Sequence, residues 1–171
     1  DQLGIFKSFF STAEYFSHIE MGWIESSEKS YTDNIHITFW HVSEKKAAGT
    51  PEGSGLAFSF CRTFADHWIP FLRGGFTNDG GALLEGSIVG GLGYYFPSST
   101  DQLSVGFGWG KPSKSTFGEN LRDQVTMELY YRLRLLKALS ITPDIQFIIN
   151  PALNPDKNFM TVFGIRLRAS I

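Results

Sequence analysis

Apolar and polar residues alternate singly along most of this chain. In the stretch VTMELYYRLRLL one parity carries Val125, Met127, Leu129, Tyr131, Leu133 and Leu135, and the other Thr126, Glu128, Tyr130, Arg132, Arg134 and Leu136. A period of two sends successive side chains to opposite faces of an extended strand. The same period predicts strands near 13–25, 34–42, 54–63, 67–76, 83–96, 102–109, 123–136, 138–150 and 158–170, about nine to ten in all. Helical spacing fits only 3–10 and part of 121–136.

Several of these strands exceed the five or six residues typical of a soluble sheet and reach the roughly 9–11 that a tilted strand needs to cross a bilayer. Their joints also alternate. Counting back from the end, 151–157 is long, 137 tight, 110–122 long, 97–101 short, 77–82 medium, 64–66 short and 43–53 long, with 26–33 the exception on the short side. Short turns at one rim and longer loops at the other are the habit of membrane barrels.

The faces differ in chemistry. One parity collects Ile19, Met21, Trp23, Ile37, Phe39, Phe58, Leu92, Tyr94, Val105, Phe107, Trp109, Leu129, Leu133, Ile145, Phe147, Phe163, Ile165 and Leu167. The other collects His18, Glu20, His36, Thr38, Trp40, Ser59, Phe71, Arg73, Glu85, Ser87, Gln102, Ser104, Glu128, Tyr130, Arg132, Arg134, Asp144, Gln146, Arg166 and Arg168. A soluble sheet would bury the first set in a core; a membrane barrel would turn it to lipid and enclose the second around water. Trp23, Tyr94 and Trp109 lie near strand ends on the apolar parity, where interfacial aromatic girdles would sit. The glycines Gly74, Gly75, Gly86, Gly90, Gly91, Gly93, Gly106, Gly108 and Gly164 suit bending and room inside a barrel. Pro143 removes one ladder donor, which predicts a bulge or an unpaired step.

Composition agrees with alternation. Aromatics make up 15% and glycine 18 residues of the 171, yet the hydrophobic fraction is only 42% and the mean hydropathy only −0.09. A net charge of −2 gives no reason to expect a nucleic-acid partner. The single Cys61 forms no internal disulfide, and no apolar run reaches the ~18 residues of a membrane helix. The start Asp1-Gln2-Leu3-Gly4 reads as a mature, processed or fragmentary chain, and nothing marks a second domain or a linker.

Glu128-Leu129-Tyr130-Tyr131-Arg132, then residues 139–151 with Thr142-Pro143-Asp144, Gln146 and Asn150-Pro151, then Gly164-Ile165-Arg166, resemble the C-terminal part of the carbohydrate-selective porins of the OprB type. Pro70-Phe71-Leu72-Arg73-Gly74-Gly75 resembles that family's aromatic-Arg-Gly strand. The resemblance implies a transmembrane antiparallel β-barrel in the bacterial outer membrane, passing carbohydrates and other small solutes by diffusion. With family barrels of about 16 strands, residues 1–171 read as a single barrel domain or the C-terminal portion of one, and monomer and homo-oligomer both stay open.

For such a path Arg73, Arg132, Arg134 and Arg166 offer forked donors, Glu20, Glu85, Glu128 and Asp144 accept, Gln146 does both, and Trp40 and Tyr130 offer flat faces to a sugar ring. A small closed barrel with a structural or adhesive role and a soluble lipocalin-like binder are the alternatives. The four His show no metal-ligand spacing, the serines that a hydrolytic set at the lipid face would need fall mostly on the inward parity, and Gly90-Gly91-Leu92-Gly93 lacks the helix and lysine of a phosphate loop. The expectation is neither an enzyme nor a cofactor protein.

Overall fold

The computed structural model describes residues 14–27, 32–99, 101–118 and 121–169. These form nine strands: β1 (Phe16–Ile24), β2 (Asn34–Val42), β3 (Gly53–Cys61), β4 (Trp68–Asp79), β5 (Leu84–Tyr95), β6 (Gln102–Pro112), β7 (Gln124–Leu136), β8 (Leu139–Ile149) and β9 (Phe159–Ala169). Every strand pairs antiparallel with its sequence neighbours in the order β1 to β9, and β1 and β9 do not pair with each other among the described residues. Nine strands of period-two sequence joined by short connections have no other simple way to satisfy their backbone groups.

The helical spacing within 121–136 loses to the ladder: β7 is strand throughout, because its alternation finds partners on both sides. The other helical reading, at 3–10, lies outside the described residues. Two helical turns unforeseen in the sequence occupy loops, a 3-10 turn at Lys46–Ala48 and a single α-turn at Lys114–Phe117 whose N-cap Ser113 accepts from the Thr116 N–H.

The joints follow the forecast with one correction. β4 continues to Asp79, which leaves only 80–83 between β4 and β5 where a medium loop was expected. Asp79, Gly80 and Gly81 take positive φ (61°, 76° and 70°), a tight reversal that two glycines make possible. At Pro143 the β7–β8 ladder passes from Tyr130↔Asp144 to Leu133↔Ile141 in unchanged register, so the missing N–H yields the unpaired step and not a bulge.

Where the apolar atoms lie decides the polarity of the sheet. Among the described residues only Val42, Cys61 and Ile69 are buried apolar side chains, whereas Phe163 and Ile165 are 77% exposed. The buried polar groups instead include Ser59, Gln102, Ser104 and Thr142, all on the polar parity. The principal contacts of each strand are with its neighbours in the sheet, and among the described residues no second layer covers either face. A soluble domain of this size would build its core from the apolar parity. Here the polar face is the crowded, inner one and the apolar face is bare, as in a sheet curled around its polar side.

Glycine and aromatic residues are matched across strands on both faces. On the inner face the Trp40 ring lies flat on Gly55, 2.5 Å from where a Cβ would stand, and the Phe71 ring covers Gly91. Gly74, Gly86 and Gly90 do not make room inside as their number had suggested; they sit on the outer face beneath Phe58, Phe76 and Leu72. The rings occupy the space a side chain would take, so ring and glycine imply each other.

Candidate functional site

The inner face is built by cross-strand register. One row runs Gly22↔His36↔Ser59↔Arg73↔Val89↔Gly108↔Thr126. A second runs Phe71↔Gly91↔Gly106↔Glu128↔Gln146, and a third Gly93↔Ser104↔Tyr130↔Asp144↔Gly164. Gly91, Gly93, Gly106 and Gly108 leave the middle of these rows on β5 and β6 low, broken only by Val89 and Ser104, between Phe71 and Arg73 of β4 and the acids, amide and ring of β7 and β8.

Glu20 accepts from the Thr38 hydroxyl at 2.9 Å and stands 3.9 Å from His36 Nδ1. It shares a depression with His36, Ser59 and Arg73. Arg73 also borders the next depression, with Phe71, Tyr95, Gln102, Tyr130 and Arg132. Gln102 there donates to Ser104 at 2.9 Å and to the Tyr130 hydroxyl at 3.3 Å. Arg132 donates to the Tyr95 hydroxyl at 3.1 Å, its guanidinium 5.5 Å from the centre of that ring. Glu128 and Tyr130 line a further depression with Phe71 and Thr126. Asp144 accepts from Gln146 at 3.3 Å, and its carboxylate covers Gly164. Arg166 stands opposite Thr142 on the open edge strand. Arg73, Tyr130 and Arg132 are thus brought together, and Trp40 lies apart on β2 against Gly55 and Phe16.

Glu85 differs from the other acids. The β5–β6 register slips between Leu84 and Gly86, and the carboxylate projects to the long-loop rim, where it holds Lys111 Nζ at 2.8 Å and accepts from the Lys114 N–H at 2.9 Å. It anchors the chain at the end of β6, at Lys111 and Lys114, a place that the parity of the sequence could not reveal because the slip breaks the count.

Sequence reasoning also passed over Asp101. It is 7% exposed, at the turn before β6, where it accepts from the Arg134 N–H at 2.8 Å and the Tyr131 hydroxyl at 2.9 Å. The Arg134 N–H foremost, with the Tyr131 and Ser99 hydroxyls, holds its carboxyl below the usual carboxylate range against the opposing effect of burial. On the outer face of the same rim Trp68, Tyr94 and Phe96 form a ring cluster, with Tyr94 centred 4.7 Å from Trp68 and 5.2 Å from Phe96.

Alternating strands, a bare apolar face and a crowded polar and ionic face form the pattern of a membrane-barrel wall. The family described as carbohydrate-selective porin, OprB family, matches residues 65–170. The chain belongs to that family. Among solved structures, Pseudomonas putida OprB at high pH is similar, with a TM-score of 0.69 at 13% identity over 91% of this chain and 48% of that one. At that identity the likeness shows the fold, and the chain spans about half the length of that porin. No curated protein matches it. The matched region of this OprB-family chain takes in β4 to β9, which carry Arg73, Glu128, Tyr130, Arg132, Arg134, Asp144, Gln146 and Arg166.

Proposed function

We propose that these nine strands are part of a larger outer-membrane barrel through which carbohydrates and other small solutes diffuse passively. The observation that carries the reading is the inverted polarity: apolar side chains bare on one face, ionic and amide groups crowded on the other. Lipid suits the first face and a water-filled lumen the second. The edges of β1 and β9, open among the described residues, support a continuation of the wall by further strands, since a membrane leaves no open edge unsatisfied.

In this reading Arg73, Arg132, Arg134 and Arg166 donate to sugar hydroxyls, Glu20, Glu128 and Asp144 accept, Gln146 does both, and Trp40 and Tyr130 give the ring faces something flat to slide along. Each contact is single and weak, which a conduit requires because a solute must leave as readily as it enters. Glu85 acts from the rim, holding the loop beside the mouth. The chain is a passage and not an enzyme.

The test is electrical. Full-length protein reconstituted in planar bilayers should give steady unitary conductance, and sugar added to either side should reduce it reversibly. Glu128→Ala and Arg73→Ala should each change the sugar concentration needed. Folded, bilayer-inserted protein that carries no current would defeat the proposal.

A further inference from the structure

At the short-turn rim, Arg132, Arg134, Lys137 and Arg168 border a cleft of about 560 Å³ together with Tyr95. Register explains the crowding: Arg134 and Arg168 stand on either side of Ser140 in one cross-strand row, and Arg132 stands in the row above, opposite Gln102. Among the described residues no ion pair involves any of these four cations, since the pairs are Glu20 with His36, Glu52 with His41 and Glu85 with Lys111. Asp66 is the one carboxylate on the cleft wall, so the Asp, Lys and Arg side chains there carry three net positive charges. The chain as a whole has a net charge of −2. Nearby Asp101 is occupied by the Arg134 N–H and the Tyr131 hydroxyl.

Like charges on neighbouring strands repel, and a cleft that gathers four cations against one acid calls for a counter-charge from solution. Guanidinium forks match phosphate and carboxylate oxygens two at a time. The Tyr95 ring, which carries Arg132 against its face, adds a flat apolar surface of the width of a pyranose.

We infer that this cleft is a binding site for anionic sugars, those bearing a phosphate or a carboxylate, at the mouth of the conduit. The location at a mouth rests on the porin reading; the anion site itself does not. A neutral sugar finds hydrogen bonds there but gains nothing from the charge, so the cleft favours the acidic member of any pair of otherwise similar sugars.

Calorimetric titration of the full-length protein in non-ionic detergent tests this, with glucose 6-phosphate, galacturonate and glucose as the probes. Both anions should bind more tightly than glucose, and added salt should weaken them selectively. Lys137→Gln with Arg168→Gln should weaken both anions by about tenfold or more and leave glucose unchanged, while Arg168→Lys retains part of the preference. Anions that bind no better than glucose, or that bind the glutamine variant undiminished, overturn the inference. Should the glutamine variant not fold, salt dependence and the lysine variant on their own decide. The titration needs no ion flow, so anion binding without conductance would sink the porin reading alone, and conductance without anion preference would sink this one alone.

Discussion

Leu129 and Gln146 allow a direct measurement of which face meets lipid. They lie on adjacent strands one register step apart, Leu129 opposite Ile145 and Gln146 opposite Glu128, and they project to opposite faces. Leu129 falls near the middle of β7, between Val105 and Ile145, and is 40% exposed on the apolar face. If that face lies in hydrocarbon, Leu129→Arg places a guanidinium close to the bilayer midplane, at a cost of about 2–4 kcal/mol. That corresponds to roughly two orders of magnitude in the ratio of folded to unfolded protein. Gln146→Arg adds the same group to the wet face beside Glu128, where the new pair contributes under about 1 kcal/mol in either direction. Guanidinium unfolding of the full-length protein in phospholipid vesicles, followed by tryptophan emission, reads both. A Leu129→Arg protein as stable as the wild type, with Gln146→Arg the damaging change, would mean that the polar face is dry and that the polarity argued throughout is reversed.

Gly55→Ala should cost about 1–3 kcal/mol by overpacking and should shift the tryptophan emission, because the new methyl displaces the Trp40 ring that lies on Gly55. Asp101→Asn should lower the melting temperature at neutral pH by weakening the acceptor of the Arg134 N–H and the Tyr131 hydroxyl. The carboxyl is held below its ordinary value, so its contribution is complete above about pH 4 and is lost as the pH falls through the depressed value. Wild-type and Asp101→Asn melting temperatures should therefore converge in acid, and a gap that persisted there would refute the assignment. Glu85→Gln should leave the melting temperature nearly unchanged, since the Lys111 pair is part-exposed, while limited trypsin digestion should cut faster at Lys114 once its N–H loses a charged acceptor.

Much of this wall could be read from the chain itself. Each strand's alternation sets which side chains share a face, so the apolar band of Ile19, Phe39, Leu129 and Ile165 and the ionic row of Glu128, Tyr130, Arg132 and Arg134 were present in the spacing. Loop composition separated the two rims, and Pro143 announced its unpaired step because a missing N–H has the same consequence in any ladder. Alternation is indifferent, however, to which face is wet. It cannot tell a core from a bilayer, and only the burial of Ser104 and Thr142 beside the bare Phe163 and Ile165 shows which face is crowded and which is bare.

Three further features depend on neighbours distant in sequence, and there the pattern was silent. Glu85 reached the rim because a register slip between strands shifted the count. The outer-face glycines found their rings on adjacent strands, Gly74 under Phe58 and Gly86 under Phe76. The cationic cleft exists because Ser140 on β8 stands between Arg134 and Arg168, which are 34 positions apart. Local sequence sets the direction of a side chain through the backbone's period of two. Which side chains then meet is set by register, a property of pairs of strands that no single strand carries.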